Sequence, residues 1–400
     1  MESGQEHEAL IARIDAGALL ARTQAWSAVN SGTRNLHGLA HVAALLGDAF
    51  SSLPGALSLV DGDGAESVGS DGVVTRLEHG QHLRLVVRPE APVQMLFTGH
   101  MDTVYPADHA FQALTWRDEN TLNGPGVTDM KGGLSVMLEA LRAVEAAGTP
   151  QLGYEVVINS DEETGSFSSA RLIAEAARGK HAALTYEPAL PDGTLAGARG
   201  GTGNFSVVVR GRAAHAGRNP ADGRNAIAAV SEIALRLHDA RGPRLAVNPA
   251  RIDGGGPNNV VPDLAVLRIN FRPGDLGEIE RARGLIAEVT GRVAERHDVR
   301  VELHGGFNRP PKPIDPGAAR LFALIGQAGA VLDLDIAWRD TGGVCDGNNI
   351  AAAGVPVVDT MGVRGGAIHS SDEYLLVDSL VERAALSALT ITRIAEGALL

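Results

Sequence analysis

The sequence predicts an α/β protein, a mixed central sheet with helices on both faces, carrying an inserted α+β unit. Three observations predict it. Short apolar runs alternate with stretches of helical spacing along most of the chain, the pattern of a sheet covered by helices. Residues 200–309 break that alternation and read β-α-β-β-α-β-like, which is a compact unit of its own. The chain, at 400 residues, exceeds what one ordinary core accommodates, so two domains of unequal size are expected.

Taken in order, apolar residues at helical spacing fill residues 8–50, with an interruption at Asn30-Ser31-Gly32. The Gly- and Asp-rich residues 61–72 read as a mobile surface loop. The run Val93-Gln94-Met95-Leu96-Phe97 is a buried strand that ends in Thr98-Gly99-His100-Met101-Asp102. Two further runs follow the same grammar: 154–159 stops at Ser160-Asp161-Glu162-Glu163, and 182–186 stops at Glu187-Pro188. A last run, 355–360, leads through a glycine-rich loop to His369. Helical patterns at 130–147, 168–177 and 378–395 lie between and after these strands. In such sheets the loops leaving the carboxyl ends of the strands build the ligand crevice, and every acidic or histidine cluster named here sits at such an end. Within the insert, strands are expected at 204–209, 264–271 and 299–303 and helices at 225–237 and 277–296. The expected division is a first domain in two segments, 1–199 and 310–400, with 200–309 inserted.

Composition excludes several function classes. Basic residues number 35 against 48 acidic ones, a net charge of -13, and they are scattered rather than gathered into a stripe that neutralises phosphates, so no nucleic-acid partner is expected. No run of 18 apolar residues suggests a membrane span. The first residues, MESGQEHEAL, carry no apolar segment of the kind a signal peptide needs. The single cysteine, Cys345, excludes an intrachain disulfide and fits a reducing compartment. A cytoplasmic protein is expected.

The polar clusters carry the chemistry. In His100-Met101-Asp102 an imidazole suited to a metal is followed by a carboxylate that can orient its ring; alone, the pair is better read as a capped turn. Asp129, in Gly124-Pro125-Gly126-Val127-Thr128-Asp129-Met130-Lys131-Gly132-Gly133, opens a helix as an N-cap would. The glycines around it allow close backbone approach, and its carboxylate has the two oxygens that bridging two ions requires. Asp161-Glu162-Glu163 places three acids together, which repel one another unless cations intervene; a solvated turn is the plain alternative. Adjacent Glu162 and Glu163 point different ways, so one can bind a metal while the other handles a proton. Glu187 and His369 complete an inventory of imidazoles, terminal carboxylates and a bridge, without thiolate, which favours zinc, with cobalt or manganese as substitutes.

In order and spacing, the motifs around His100, Asp129, Asp161-Glu162-Glu163, Glu187-Pro188 and His369 resemble the M20 metallopeptidase family, nearest its glutamate carboxypeptidase and aminoacylase branch. The resemblance covers nearly the whole chain, including residues 26–35. It implies a two-zinc exopeptidase-like catalytic domain with an inserted lid used for dimerisation. By that resemblance one zinc takes His100 and Glu187, the other takes Glu163 and His369, Asp129 bridges them, Asp102 orients His100, and Glu162 is the general base. The peptide bond Asp129-Met130 is expected to be cis. In the lid, Ala213-Ala214-His215-Ala216-Gly217 matches a motif whose histidine stabilises an oxyanion, in dimeric members across the subunit interface. Without that context, His215 reads as a strand-end residue.

Asn259 and Arg272 match lid positions that hold a substrate carboxylate, with Gly365 and Gly366 offering backbone N–H groups nearby. On sequence alone these read equally well as a turn Asn, a strand Arg in a surface ion pair and a flexible loop. Two departures stand out. Glutamate-specific relatives carry Gly-Arg-Pro after the last lid strand, where this chain reads Gly305-Gly306-Phe307-Asn308-Arg309-Pro310-Pro311; the equivalence of Arg309 stays open, so glutamate specificity is not implied. Cys345 stands where relatives more often have Thr or Ser, and reads as a small residue lining the site. The expected activity is carboxypeptidase-type hydrolysis of the amide next to a free α-carboxylate, in small peptides or N-acyl amino acids, with aminoacylase or deacetylase activity as the alternative. Two rivals predict other sequences: a non-catalytic binder would lack the base or a ligand, and a bimetallic phosphoesterase would place Lys or Arg beside the metals.

Overall fold

The computed structural model describes residues 2–399. Its central sheet has six strands, built around Val93–His100. This strand pairs in parallel with Leu152–Asn159 on one side and Ala182–Thr185 on the other. Val357–Val358 continues the parallel part, while His82–Val87 and Ala56–Val60 add an antiparallel flank. Successive side chains of a strand face opposite ways, and here both sides are covered. Met95 and Phe97 join the larger core with the helices Gly132–Ala147 and Asp378–Ala395. Leu96 packs instead with Ile173 and Ile350, from Ala170–Ala177 and Asp346–Ala352. Burial on two faces is why the strand is a continuous apolar run rather than an alternating one.

The polar segments leave the sheet at one edge, the carboxyl ends of Val93–His100, Leu152–Asn159 and Ala182–Thr185. The start of the helix Gly132–Ala147 is pressed against that edge. A Cβ on Gly133 would stand 2.1 Å from the carbonyl oxygen of Tyr186, so only glycine lets the loop carrying Asp129 come this close. The peptide bond Asp129-Met130 is cis, as the resemblance implied.

The insert forms a second sheet, antiparallel throughout, in the order Leu245–Gly254, Leu264–Pro273, Thr202–Arg210, Arg300–Arg309. Helices Ala226–Asp239 and Leu276–His297 share a core with one face of it, through Val207, Ile233, Leu267 and Ile286. Where the chain enters and leaves the insert, Arg199 and Lys312 exchange main-chain hydrogen bonds of 2.8 and 2.9 Å.

Several local readings of the sequence are corrected. The first helical stretch has a second interruption: helices run Glu2–Ile11, Ala16–Ser27 and Leu36–Phe50, and Asp15 caps the second by accepting from the Ala18 N–H. The insert's fourth strand, called for by the β-α-β-β-α-β pattern but not located in the sequence, is Leu245–Gly254. It is an edge strand with Pro249 at a bulge, so it carries neither alternation nor a continuous apolar run.

Residues 61–72 are a loop only in part, with a strand, Ala65–Val68, at their centre. Ala65–Val68 pairs with Val74–Leu77, and Val68 is buried against Val208 and Val266 of the insert. Arg268 and Arg210 donate to the carbonyls of Val68 and Gly72, at 2.5 and 2.8 Å. At its root this hairpin is tied to the first sheet's helical layer by the Asp63 N–H to Ser168 carbonyl bond, 2.8 Å, and the Asp63–Arg171 ion pair, 2.7 Å. Among the described residues no helix is long and apolar enough to cross a membrane.

Candidate metal centre and its cleft

Two donor groups meet at Asp129. His100, Asp129 and Glu187 form one; Asp129, Glu163 and His369 form the other, with each group's ligand atoms within 4.8 Å of one another. His100 Nε2 lies 3.1 Å from Asp129 Oδ1 and 3.9 Å from Glu187 Oε2. His369 Nε2 lies 3.3 Å from Asp129 Oδ2 and 3.2 Å from Glu163 Oε2. His100, Asp129 and Glu187 are buried and the Glu163 side chain is largely covered, whereas that of His369 is 53% exposed, so the centre is reached from the His369 side.

Without a cation these groups strain one another's charge. Burial, with Asp129 close by, pushes Glu163 up to about 8, and burial raises Glu187. For His100 burial alone would favour the neutral ring, but its contacts with Asp102, Asp129 and Glu187 win and hold it well above the usual histidine range. Hydrogen bonds to Asp129 and Glu163 raise His369 to about 11. Protons are standing in for positive charge that this donor set is built to receive.

Asp102 does more than its spacing suggests. His100 Nδ1 lies 3.0 Å from the main-chain carbonyl of Asp102 and 3.4 Å from its carboxylate, so both face the ring. The carboxylate also accepts the N–H groups of Glu162 and Glu163, at 3.1 and 3.2 Å, and the Thr33 hydroxyl at 2.7 Å. It pins the turn that carries both glutamates. Asp161, the third acid of that run, turns away and accepts from the Ser168 N–H and the Ser169 hydroxyl, each at 2.6 Å.

Glu162 belongs to neither donor group. Burial pushes its carboxyl up to about 7, and Arg309 Nη2 stands 2.7 Å from its Oε1. Glu162, the donor carboxylates and His369 line a cavity of ≈ 540 Å³. Its walls include Arg199, Arg339 and Cys345; Cys345 is buried, and burial holds its thiol well above the ordinary range, which suits a lining residue.

Other residues singled out in the sequence lie outside this cavity's lining. Gly365 and Gly366 form a short strand paired with Leu375 and Tyr374. Arg272 is exposed on the insert, its Nε donating to Asn270 Oδ1 at 2.9 Å. His215 and Asn259 are exposed together, linked by the Ala216 N–H to Asn259 carbonyl bond of 2.9 Å. His215 Nδ1 accepts from the N–H groups of Gly217 and Arg218, at 3.1 and 3.2 Å, which leaves Nε2 as the protonated, donating nitrogen.

Sequence reasoning missed Glu373. Buried, it accepts from the N–H groups of Thr128 and Asp129 at 3.0 Å each, from that of Gly126 at 3.2 Å and from the Tyr105 hydroxyl at 2.8 Å. It thus holds the whole loop that presents Asp129. Its only sequence signal is an acid four residues beyond His369.

A family model described as peptidase family M20/M25/M40 matches residues 96–393. The chain belongs to this family. Carboxypeptidase G2 from Pseudomonas sp. (strain RS-16) is 30% identical over 313 residues, 76% of this chain and 74% of that protein. Succinyl-diaminopimelate desuccinylase from Verminephrobacter eiseniae (strain EF01-2) is 29% identical over 309 residues, 72% of this chain and 75% of that protein. A tripeptidase from Staphylococcus aureus shares the fold, with a TM-score of 0.73 at 23% identity over 96% of this chain and 99% of that one. As an M20 protein the chain is a metallohydrolase, and its residues fit the metals that this implies: each donor group offers one imidazole, one terminal carboxylate and a share of Asp129. Three protein ligands with room for a further one is the pattern of catalytic rather than structural sites.

Proposed function

We propose that this M20 hydrolase is a zinc-dependent exopeptidase of the carboxypeptidase type, cleaving the amide bond beside a free α-carboxylate in small peptides or N-acyl amino acids. The observation that carries the reading is the pairing of donor groups through Asp129 with a buried glutamate, Glu162, beside them but in neither. Zinc is favoured by imidazole and carboxylate donors without thiolate; when bound, such ions polarise a carbonyl and make water a nucleophile at neutral pH. The protein's own part is proton handling and positioning. Glu162 takes a proton from the attacking water and returns it to the leaving amine, which a carboxyl tuned towards neutrality does well.

His215 supplies an Nε2–H to the oxyanion that develops on the scissile carbonyl. Since it is exposed and outside its own chain's cavity lining, it serves the site of a second subunit, in a homodimer formed through the inserted unit, residues 200–309. Asn259 and Arg272, on the same unit, would hold the substrate carboxylate. A cytoplasmic location belongs to the same reading and rests on the lone Cys345.

The alternative, N-deacylation, is favoured by the match to the desuccinylase over most of both chains. A screen of the zinc-loaded protein against dipeptides, N-acyl amino acids and the same compounds with the carboxylate amidated separates these. Release of C-terminal amino acids from peptides supports the first reading, turnover confined to N-acyl amino acids the second. Equal turnover of the amidated compounds defeats both.

A further inference from the structure

We propose that Arg309 is a positioning residue for Glu162, through which the root of the inserted sheet fixes the base. Arg309 is the last residue of the strand Arg300–Arg309, and Glu162 follows the strand Leu152–Asn159 of the other sheet. One nitrogen, Nη2, lies 2.7 Å from Glu162 Oε1 and also donates to the Glu162 carbonyl at 2.9 Å and to Ser166 Oγ at 2.8 Å. Side chain and turn are therefore gripped together. The side chains are 6% and 9% exposed, so the pair is shielded from solvent and neither partner can leave without stranding a buried charge.

On its far side the guanidinium is 3.6 Å from Asp346 Oδ1. That carboxylate is itself held by Ser166 Oγ and Asn159 Nδ2, so the cation is braced rather than free. Because Glu162 is in neither donor group, ligation does not fix its rotamer, and the guanidinium is the one cation within ion-pair distance of its carboxylate among the described residues. Arg309 is not on the cavity wall, so it is not placed to receive a substrate carboxylate.

The proposal rests on Glu162 being the base, and a double-mutant cycle separates the two claims. Glu162→Gln is expected to lower kcat at least about a hundredfold with metal retained. Arg309→Met is expected to lower kcat roughly 30-fold, with KM within about threefold and metal content unchanged, and to add almost nothing in the Glu162→Gln background. Arg309→Lys keeps the charge without the planar fork and should recover part of the loss. Should Arg309→Met not fold, Arg309→Lys alone is read: kcat about tenfold down at normal KM supports the proposal, and wild-type kcat overturns it.

A large rise in KM at normal kcat would make Arg309 a substrate contact, and loss of metal or fully additive losses would make it merely structural; each overturns the positioning role. If Glu162→Gln abolishes turnover and both Arg309 variants are normal, only the positioning role falls. If Glu162→Gln is fully active, the base assignment falls and takes this proposal with it.

Discussion

A buried carboxylate and the ion it awaits set opposite demands on pH. In the metal-free protein Glu162 and Glu163 sit near 7 and 8, and Glu373 near 6, all pushed above the ordinary glutamate value of 4.5, chiefly by burial. A raised native value means that the folded state keeps protons which the unfolded chain has already released, so stability falls as pH climbs from the unfolded value through the native one. His369, raised from 6.5 to about 11, has the same sign above 6.5. The metal-free protein should therefore melt at a lower temperature at about pH 8 than at about pH 6. Bound zinc would replace those protons, so the loaded protein should lose most of that slope, and binding should release protons. Thermal unfolding of chelator-treated and zinc-loaded protein at both pH values checks this, and a metal-free melting temperature that rises with pH would contradict it.

Among the elements, the loop from Gly124 to Gly133 matters most, because it presents the shared carboxylate. Glu373 anchors it from outside through three main-chain N–H groups. Glu373→Gln keeps the size but offers one acceptor oxygen in place of two, and turns an NH₂ group towards donors. Zinc affinity is expected to drop by about 10–100-fold, as for other partners that support metal ligands, with the fold retained; competition against a chelator measures it. Unchanged affinity would mean that the loop holds itself.

The five candidate donors and Glu162 were legible in the sequence because each ends a strand or a glycine loop, where local grammar is strong: His100, Asp129, Glu163, Glu187 and His369 are brought into one place, with Glu162 beside them. The roles of Glu373 and Arg309 and the further partners of Asp102 were not. Their roles arise from contacts across 60 or more residues of chain, such as Glu162 N–H to Asp102 and Arg309 to Glu162, and no short pattern encodes those. The hairpin within 65–77 was hidden for another reason. Its glycines and aspartates signal turn, and only Val68, buried between Val208 and Val266, betrays the packing.

For the whole molecule the sharpest expectation is complementation between subunits. If His215 acts in the partner's site, His215→Ala and Glu162→Gln are each inactive, yet a heterodimer contains one site with a sound base and a sound histidine. Random exchange should give about half heterodimers and roughly a quarter of wild-type activity, with exchange verified by pull-down of a tagged subunit. Activity staying at the mutant background after verified exchange would return His215 to its own chain, or to no role.

The hairpin adds a mechanical consequence. The inserted sheet joins the rest of the chain at adjacent crossings, zipped by Arg199 and Lys312, and a body attached along one such line can swing like a door. The hairpin is a second attachment away from that line, rooted at Ser168 and Arg171 and gripping the swinging body at Val208, Val266 and Arg268. A door with a stay cannot travel freely: any rotation of the insert would have to bend the hairpin or pull Val68 from between Val208 and Val266.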